Sequence, residues 1–329
     1  MDPDGAHPPG LVHRALVHHG EDELLAHLAE YAREGIQAGE PTMVLASRRR
    51  LSALRRALGP DAPVRWVPND LASIRLGVAF DDVRRQVAAH SGRGRLRVAA
   101  DWDLTTMTGS ERRAFMRWEA AATAILADEH ATVLCCHDGA DPVVTAGARA
   151  THPQVWTDGA WAADPAYTLP AAHLRACAAP APPDAGPLPL DDPWDLAPIR
   201  ERIGRAGVAA GMDAGVLADF EIAANEVAAN ALWHARGPRE ARVAVVGRAL
   251  VCEVRDGGPG LDPLAAHIPP PPGGRAGQGL WIAHQLADVV QIIPDGAGTR
   301  VRLEATLPAP GGPGGPAGRG RAPGSTSPP

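Results

Sequence analysis

The sequence predicts two domains of different class: an α/β domain with a mostly parallel sheet, followed by an α+β sandwich. Three observations lead there. Residues 11–177 alternate helical and strand patterns, which a parallel sheet with helices on both faces requires. Residues 194–307 run helix, helix, strand, strand, loop, helix, strand, strand, which suits helices on one face of a mixed sheet. Between them, "AAPAPPDAGPLPLDDP" at 178–193 holds six prolines and no periodicity, and reads as an extended linker.

In the first domain "EDELLAHLAEYAREGIQAG" has helical spacing and ends at Gly39. "PTMVLAS" follows as a strand, then "RRRLSALRRAL" as a helix. "VRWVP", "RLRVAAD" and "ATVLCCHD" read as further strands, with the helix "GSERRAFMRWEAAATAILAD" before the last. The arginines of "SRRR" at 47–50 read as a solvated patch. In the second domain "IRERIGRAGVAAGM" and "EIAANEVAANALWHA" are helices. "EARVAVVG" and "ALVCEVRDGG" form a hairpin turning near Gly247. The helix "GLWIAHQLAD" and a last hairpin, "VVQIIPDGAGTRVRLEATL", complete it. Residues 1–10 read as a loose leader, and 308–329, rich in Gly, Pro and Ser, as a disordered tail.

Composition removes several function classes. A net charge of −6 over 329 residues argues against a general nucleic-acid binder. No apolar run approaches the roughly 20 residues that span a bilayer, and no signal peptide opens the chain, so a cytoplasmic location is expected. All 32 basic residues are arginine, which rules out a phosphate-loop lysine and a Schiff-base lysine. None of Cys135, Cys136, Cys177 and Cys252 form a CxxC pair.

The chemistry concentrates in the second domain. Glu226, Asn230 and His234 fall four apart and stack along one helical face, beside an apolar stripe of Phe220, Val227 and Ala231. Asn mid-helix has little structural reason to be there. Asp256 ends a strand and opens "DGGPG", whose Gly258 and Gly260 let backbone approach a ligand closely. Gly277 and Gly279 open a helix, where free N–H groups and the helix dipole favour phosphate. "GAGT" at 296–299 turns between the last two strands.

In this order the four parts resemble the Bergerat-fold ATPases, which include gyrase and the histidine-kinase catalytic domains. The likeness is nearest to the anti-sigma serine kinases of the switch-protein, or RsbW-like, group, and covers about residues 194–307. The resemblance implies ATP and Mg²⁺ as cofactors. It makes Glu226 the general base and Asn230 a Mg²⁺ ligand. Asp256 would accept from the adenine amino group in a pocket shaped by Gly258 and Gly260. Gly277 and Gly279 would line the phosphates, Thr299 would close the adenine side, and Arg275 is the nearby cation for the phosphates. The segment between the glycine boxes, "LDPLAAHIPPPPGGRA", departs from the family in its four consecutive prolines. The implied partners are an anti-anti-sigma protein of the STAS type and a sigma factor, with phosphate passing to a Ser or Thr of the former. Two alternatives stay open: an ATP-gated protein that binds its partner without transfer, and a sensor histidine kinase with an unrecognised acceptor. Homodimerisation is open as well.

The first domain resembles the MEDS sensory domains over roughly 11–170. The likeness rests on "HRALVHHGEDELLAHLAEYAREGIQAGEPTMVLAS", "RLRVAADWDLT", "MRWEAAATAIL", "TVLCCHDGA" and "ATHPQVW". His13, Glu119, Cys135, Asp138, His152 and Pro153 occupy signature-like positions, while His137 stands where relatives often carry Tyr. The resemblance implies a RecA-like α/β fold without phosphate-loop chemistry. Cys135, Cys136, His137 and His152 suggest zinc, but adjacent cysteines on a strand point to opposite faces. A small-molecule or redox signal and a structural or docking role remain open for this domain.

Overall fold

The computed structural model describes residues 10–69, 75–90, 94–182, 186–192, 196–270, 277–296 and 298–308. Among these, no helix is long and apolar enough to cross a membrane. The expected tail falls outside them, apart from Pro308. The chain divides into two compact units.

The first part of the chain runs β1 (Val12–His18), α1 (Glu21–Gln37), β2 (Thr42–Ala46), α2 (Arg48–Leu58), β3 (Val64–Pro68), α3 (Leu76–Ala88), β4 (Leu96–Asp101), α4 (Gly109–Ile125), β5 (Ala131–Asp138), α5 (Pro142–Thr151), β6 (Gln154–Thr157), β7 (Ala160–Ala163) and α6 (Pro170–Ala176). Its strands form one sheet in the order β3-β2-β4-β5-β1-β6-β7, and only the β6–β7 pair is antiparallel. This is the expected RecA-like, mostly parallel sheet. The β6–β7 hairpin turns on Asp158 and Gly159, both at positive φ (51° and 83°), the conformation for which Asp-Gly is suited.

The pleat sorts the core into two layers. Leu16, Leu134 and Cys136 pack with Leu24, Leu28, Leu51 and Leu54 of α1 and α2, while Val98, Val133 and Cys135 belong to a separate cluster with Val87 and Leu126. The adjacent cysteines therefore face opposite ways, as alternation requires. Helix α4 begins with a capping box, Thr108 Oγ1 accepting from Glu111 N (3.2 Å) and Glu111 Oε2 from Thr108 N (2.7 Å). Its middle, from Ala114 to Ala121, is buried all round, charged residues included.

The second part comprises β8 (Leu188–Pro189), α7 (Ala197–Ala209), α8 (Ala214–His234), β9 (Arg239–Val246), β10 (Ala249–Asp256), α9 (Gln278–Leu286), β11 (Val289–Pro294) and β12 (Thr299–Thr306). The sheet order is β11-β12-β10-β9-β8. Every pair is antiparallel, where a mixed sheet was expected. The reason is connectivity: β9–β10 and β11–β12 are hairpins, and β12 docks antiparallel on β10. Within the stretch read as a linker, Leu188–Pro189 adds an edge strand to β9, a place where proline's missing donor costs nothing. Leu190 after it is buried in the core.

That core gathers Ile199 and Ile203 from α7, Phe220, Val227 and Ala231 from α8, Leu280 and Ala283 from α9, and Leu250, Cys252 and Leu303 from the sheet. Phe220 is fully buried. Phe220→Ala should lower the stability of this unit by about 3–5 kcal/mol, read as a drop in its denaturant midpoint.

Candidate functional site

Helix α8 carries the first candidate residues. Asp213 caps it, accepting from Gly215 N (2.9 Å) and Val216 N (3.1 Å). Phe220, Val227 and Ala231 turn into the core, while Glu226 and Asn230 sit half-buried beside them and His234 is exposed. At the far end, Arg239 donates to Ala231 O (3.1 Å) and Ala235 O (2.7 Å), holding the last carbonyls of the helix against the start of β9.

Two loops converge there. Asp256 ends β10 opposite Thr299 of β12, and both are buried. Asp256 Oδ1 accepts from Gly258 N (2.8 Å), which bends the chain off the strand. A Cβ on Gly258 would lie 2.9 Å from Asp256 Oδ1 and 3.2 Å from Ala235 Cβ, so bare backbone is needed at this contact. A Cβ on Gly298 would run into the carbonyl oxygen of Asp256. Gly298 thus joins the candidate residues, where the sequence pointed only to its turn. The signal was a glycine directly before the threonine that opens the last strand. Gly260 takes a positive φ of 88° and faces Gly298 O.

The second glycine pair meets α8 directly. Gly277 caps α9 in the left-handed region (φ 79°) and makes no side-chain cap to its first turn. A Cβ on Gly279 would lie 2.8 Å from Glu226 Oε2, so the Glu226 carboxylate reaches the first turn of α9. Asn230 lies one turn further along α8 on the same face. Glu226, Asp256, Gly258, Gly260, Gly279 and Thr299 thus fall at two contacts on α8, one at the β10–β12 end and one at α9. Arg275 lies outside the described residues.

In the first unit His13, Glu119, Cys135 and His152 are all buried, and one ligand-capable atom from each lies within 4.8 Å of the others. Burial would raise the Glu119 carboxyl, but the His13 and His152 rings outweigh it and hold it well below the usual carboxylate range. Burial, with the His152 ring, lowers His13 to about 4 against the pull of Glu119. Burial, then Glu119, pushes the Cys135 thiol well up. Asp138 is exposed and Pro153 half-buried, and neither belongs to this group. The carboxyl ends of β1, β4 and β5 border a separate cavity of about 110 Å³, lined by His18, Arg50, Asp101 and His137 among others. Arg50 is not solvated as expected from "SRRR", because it pairs with Asp101 Oδ2 at 2.7 Å.

Comparison with known families agrees with this layout. The family model described as "MEthanogen/methylotroph, DcmR Sensory domain", or MEDS, matches residues 12–153. The one described as "Histidine kinase-like ATPase domain" matches residues 190–305. The chain carries a MEDS sensory domain followed by a histidine kinase-like ATPase domain. No curated protein matches it.

The residues of the ATPase domain fit the nucleotide that such a domain binds. Asp256 keeps Oδ2 for an outside donor, since only Oδ1 has a hydrogen-bond partner among the described residues. Gly258 and Gly298 keep the surrounding backbone bare, and the positive end of the α9 dipole suits an anion. The segment after Gly260 is tied down where it is described: Ala266 is fully buried, and His267 packs its ring 4.5 Å from that of His284 on α9. The β1–α1 turn of the MEDS domain is built differently. It consists of His19 and Gly20, followed by Glu21, Asp22 and Glu23 in the first helical turn. Three carboxylates there repel phosphate.

Proposed function

We propose that the chain is a cytoplasmic signalling regulator whose ATPase domain is a Mg²⁺- and ATP-dependent protein serine/threonine kinase of the anti-sigma type, governed by the MEDS domain. Its substrate is a STAS-type antagonist, and its second partner is a sigma factor that it sequesters. The observation that carries this reading is the contact of Glu226 with the first turn of α9. That contact sets a carboxylate beside the N–H groups suited to phosphate, where a substrate hydroxyl must arrive.

ATP supplies the transferable phosphoryl group when bound. Glu226 would orient the hydroxyl of the incoming Ser or Thr and take its proton as the oxygen bonds to the γ-phosphorus and ADP leaves. Asn230 offers its carboxamide oxygen to Mg²⁺, a hard ion that favours oxygen ligands. Asp256 accepts from the adenine amino group and so selects the base. The backbone N–H groups after Gly277 hold phosphate oxygens, which matters more in a chain without lysine.

The test is transfer of radiolabelled phosphate from ATP to a purified STAS-domain protein. Labelling on Ser or Thr supports the kinase reading. ATP-dependent complex formation without labelling points instead to a protein that sequesters its partner. Labelling on histidine of the chain itself would mean a histidine kinase. The metal assignment has its own readout. Asn230→Ala should weaken ATP binding chiefly when Mg²⁺ is present, with little change in chelator. An equal loss in both conditions would mean a damaged fold.

A further inference from the structure

We propose that His13, Glu119, Cys135 and His152 form a closed four-ligand site for a zinc-class divalent transition-metal ion inside the MEDS domain. The residues come from β1, α4, β5 and the residue that ends α5, far apart in the chain, and none is more than 4% exposed. His13 Nε2 lies 3.6 Å from Glu119 Oε2, His152 Nε2 lies 3.5 Å from the same oxygen, and His13 Nε2 lies 3.4 Å from Cys135 Sγ.

The two nitrogen–oxygen separations are long for hydrogen bonds, while the nitrogen–sulfur one is of ordinary length. All three are close to the edge lengths of a coordination tetrahedron. With metal–nitrogen and metal–oxygen bonds near 2.0–2.1 Å and metal–sulfur near 2.3 Å, tetrahedral ligand atoms stand about 3.3 Å apart for N and O, and about 3.5 Å for N and S.

The hydrogen bonds around the group set its tautomers. Thr151 Oγ1 donates to Gly147 O (2.9 Å), so it can only accept from His152 Nδ1 (3.0 Å), which also meets Ala148 O (2.8 Å). Nδ1 of His152 therefore donates outward, and its Nε2 is turned to a carboxylate oxygen of Glu119. A carboxylate buried this deeply needs positive charge beside it, and a cation between the two groups supplies it. His13 repeats the pattern, with Nδ1 bonded to Thr123 Oγ1 at 2.8 Å and Nε2 turned inward. Both Glu119 oxygens are buried without a hydrogen-bond partner among the described residues. Imidazoles bonded outward through Nδ1 and open inward through Nε2 are the arrangement that metal-binding histidines adopt.

The donor set names the ion class. Two imidazoles, a thiolate and a carboxylate suit Zn²⁺ and related transition metals, whereas Ca²⁺ and Mg²⁺ take oxygen ligands. Four protein ligands leave no open position, so the ion would tie α4 and the end of α5 to the middle strands of the sheet rather than perform catalysis.

The test uses the full chain, stripped with chelator and titrated with Co²⁺. A single equivalent should produce a thiolate-to-cobalt charge-transfer band and the intense visible bands of tetrahedral Co²⁺, and Zn²⁺ should bleach both. Cys135→Ser should lose the charge-transfer band. Cys136→Ser, altered on the opposite face of the same strand, should keep it. Wild-type protein that stays folded by circular dichroism yet shows neither band overturns the proposal. A charge-transfer band that survives Cys135→Ser and vanishes in Cys136→Ser overturns it as well.

Discussion

Glu226→Ala should reduce phosphate transfer to a STAS-type partner by about 10²–10⁴-fold, the usual cost of losing a general base. ATP affinity should hold or rise slightly. The carboxylate lies against the first turn of α9, where phosphate oxygens are expected, so in the ground state it opposes bound negative charge. Its favourable work begins only when the substrate hydroxyl gives up its proton, and interactions of that kind appear in the rate rather than in binding. The same residue is half-buried on a helix whose packing comes from Phe220, Val227 and Ala231, so truncation to Ala leaves the core untouched. Radiolabelled transfer, titration calorimetry with ATP and a pull-down of the partner read the three consequences separately. Wild-type transfer rates in the variant would remove Glu226 from the chemistry. A parallel loss of ATP affinity would recast it as a binding residue.

The two domains were not equally legible in the sequence. In the ATPase domain each candidate residue sits inside a short local pattern: four-residue spacing on α8, Asp256 before glycines, and Gly277 and Gly279 at a helix start. Such patterns survive without knowledge of packing. What they could not give is which parts touch, and so Gly298 and the Glu226–Gly279 contact emerge only in three dimensions. Strand β8 was hidden because proline-rich composition hides a two-residue edge strand. In the MEDS domain, β1 and the Asp158-Gly159 hairpin went unread, although Asp-Gly between short apolar runs is a usable signal. The buried cluster was harder. The contiguous Cys135, Cys136 and His137 drew attention, yet the pleat sends Cys136 to the other layer of the core. Glu119 looks like any helical carboxylate until the packing around α4 buries it. Burial is a property of the assembled domain, and single-residue patterns do not carry it.

Asp256→Asn should weaken ATP binding by about 10–100-fold or more, since a hydrogen bond to a charged group contributes about 1.5–3 kcal/mol and a mismatched donor adds to the loss. The substitution cannot be accommodated by turning the amide. If the carboxamide oxygen keeps the 2.8 Å bond from Gly258 N, the NH₂ group takes the place of Oδ2 and faces the adenine amine, donor against donor. If it turns the other way, the adenine amine is satisfied, but the Gly258 N–H loses its acceptor and the bend after β10 loses its anchor. Thr299 opposite and Gly298 against the Asp256 carbonyl leave the backbone little room to relax. The same argument predicts a change of preference. Inosine triphosphate presents an oxygen where adenine presents the amine, so wild type should discriminate against it, while Asp256→Asn should bind it relatively better because its NH₂ can donate. Calorimetry on the full chain with both nucleotides decides the matter, and no residual ATP site is expected from the MEDS domain, whose α1 opens with Glu21, Asp22 and Glu23. Equal ATP affinity in variant and wild type, or no movement in the ATP-to-inosine-triphosphate ratio, would take Asp256 out of base recognition.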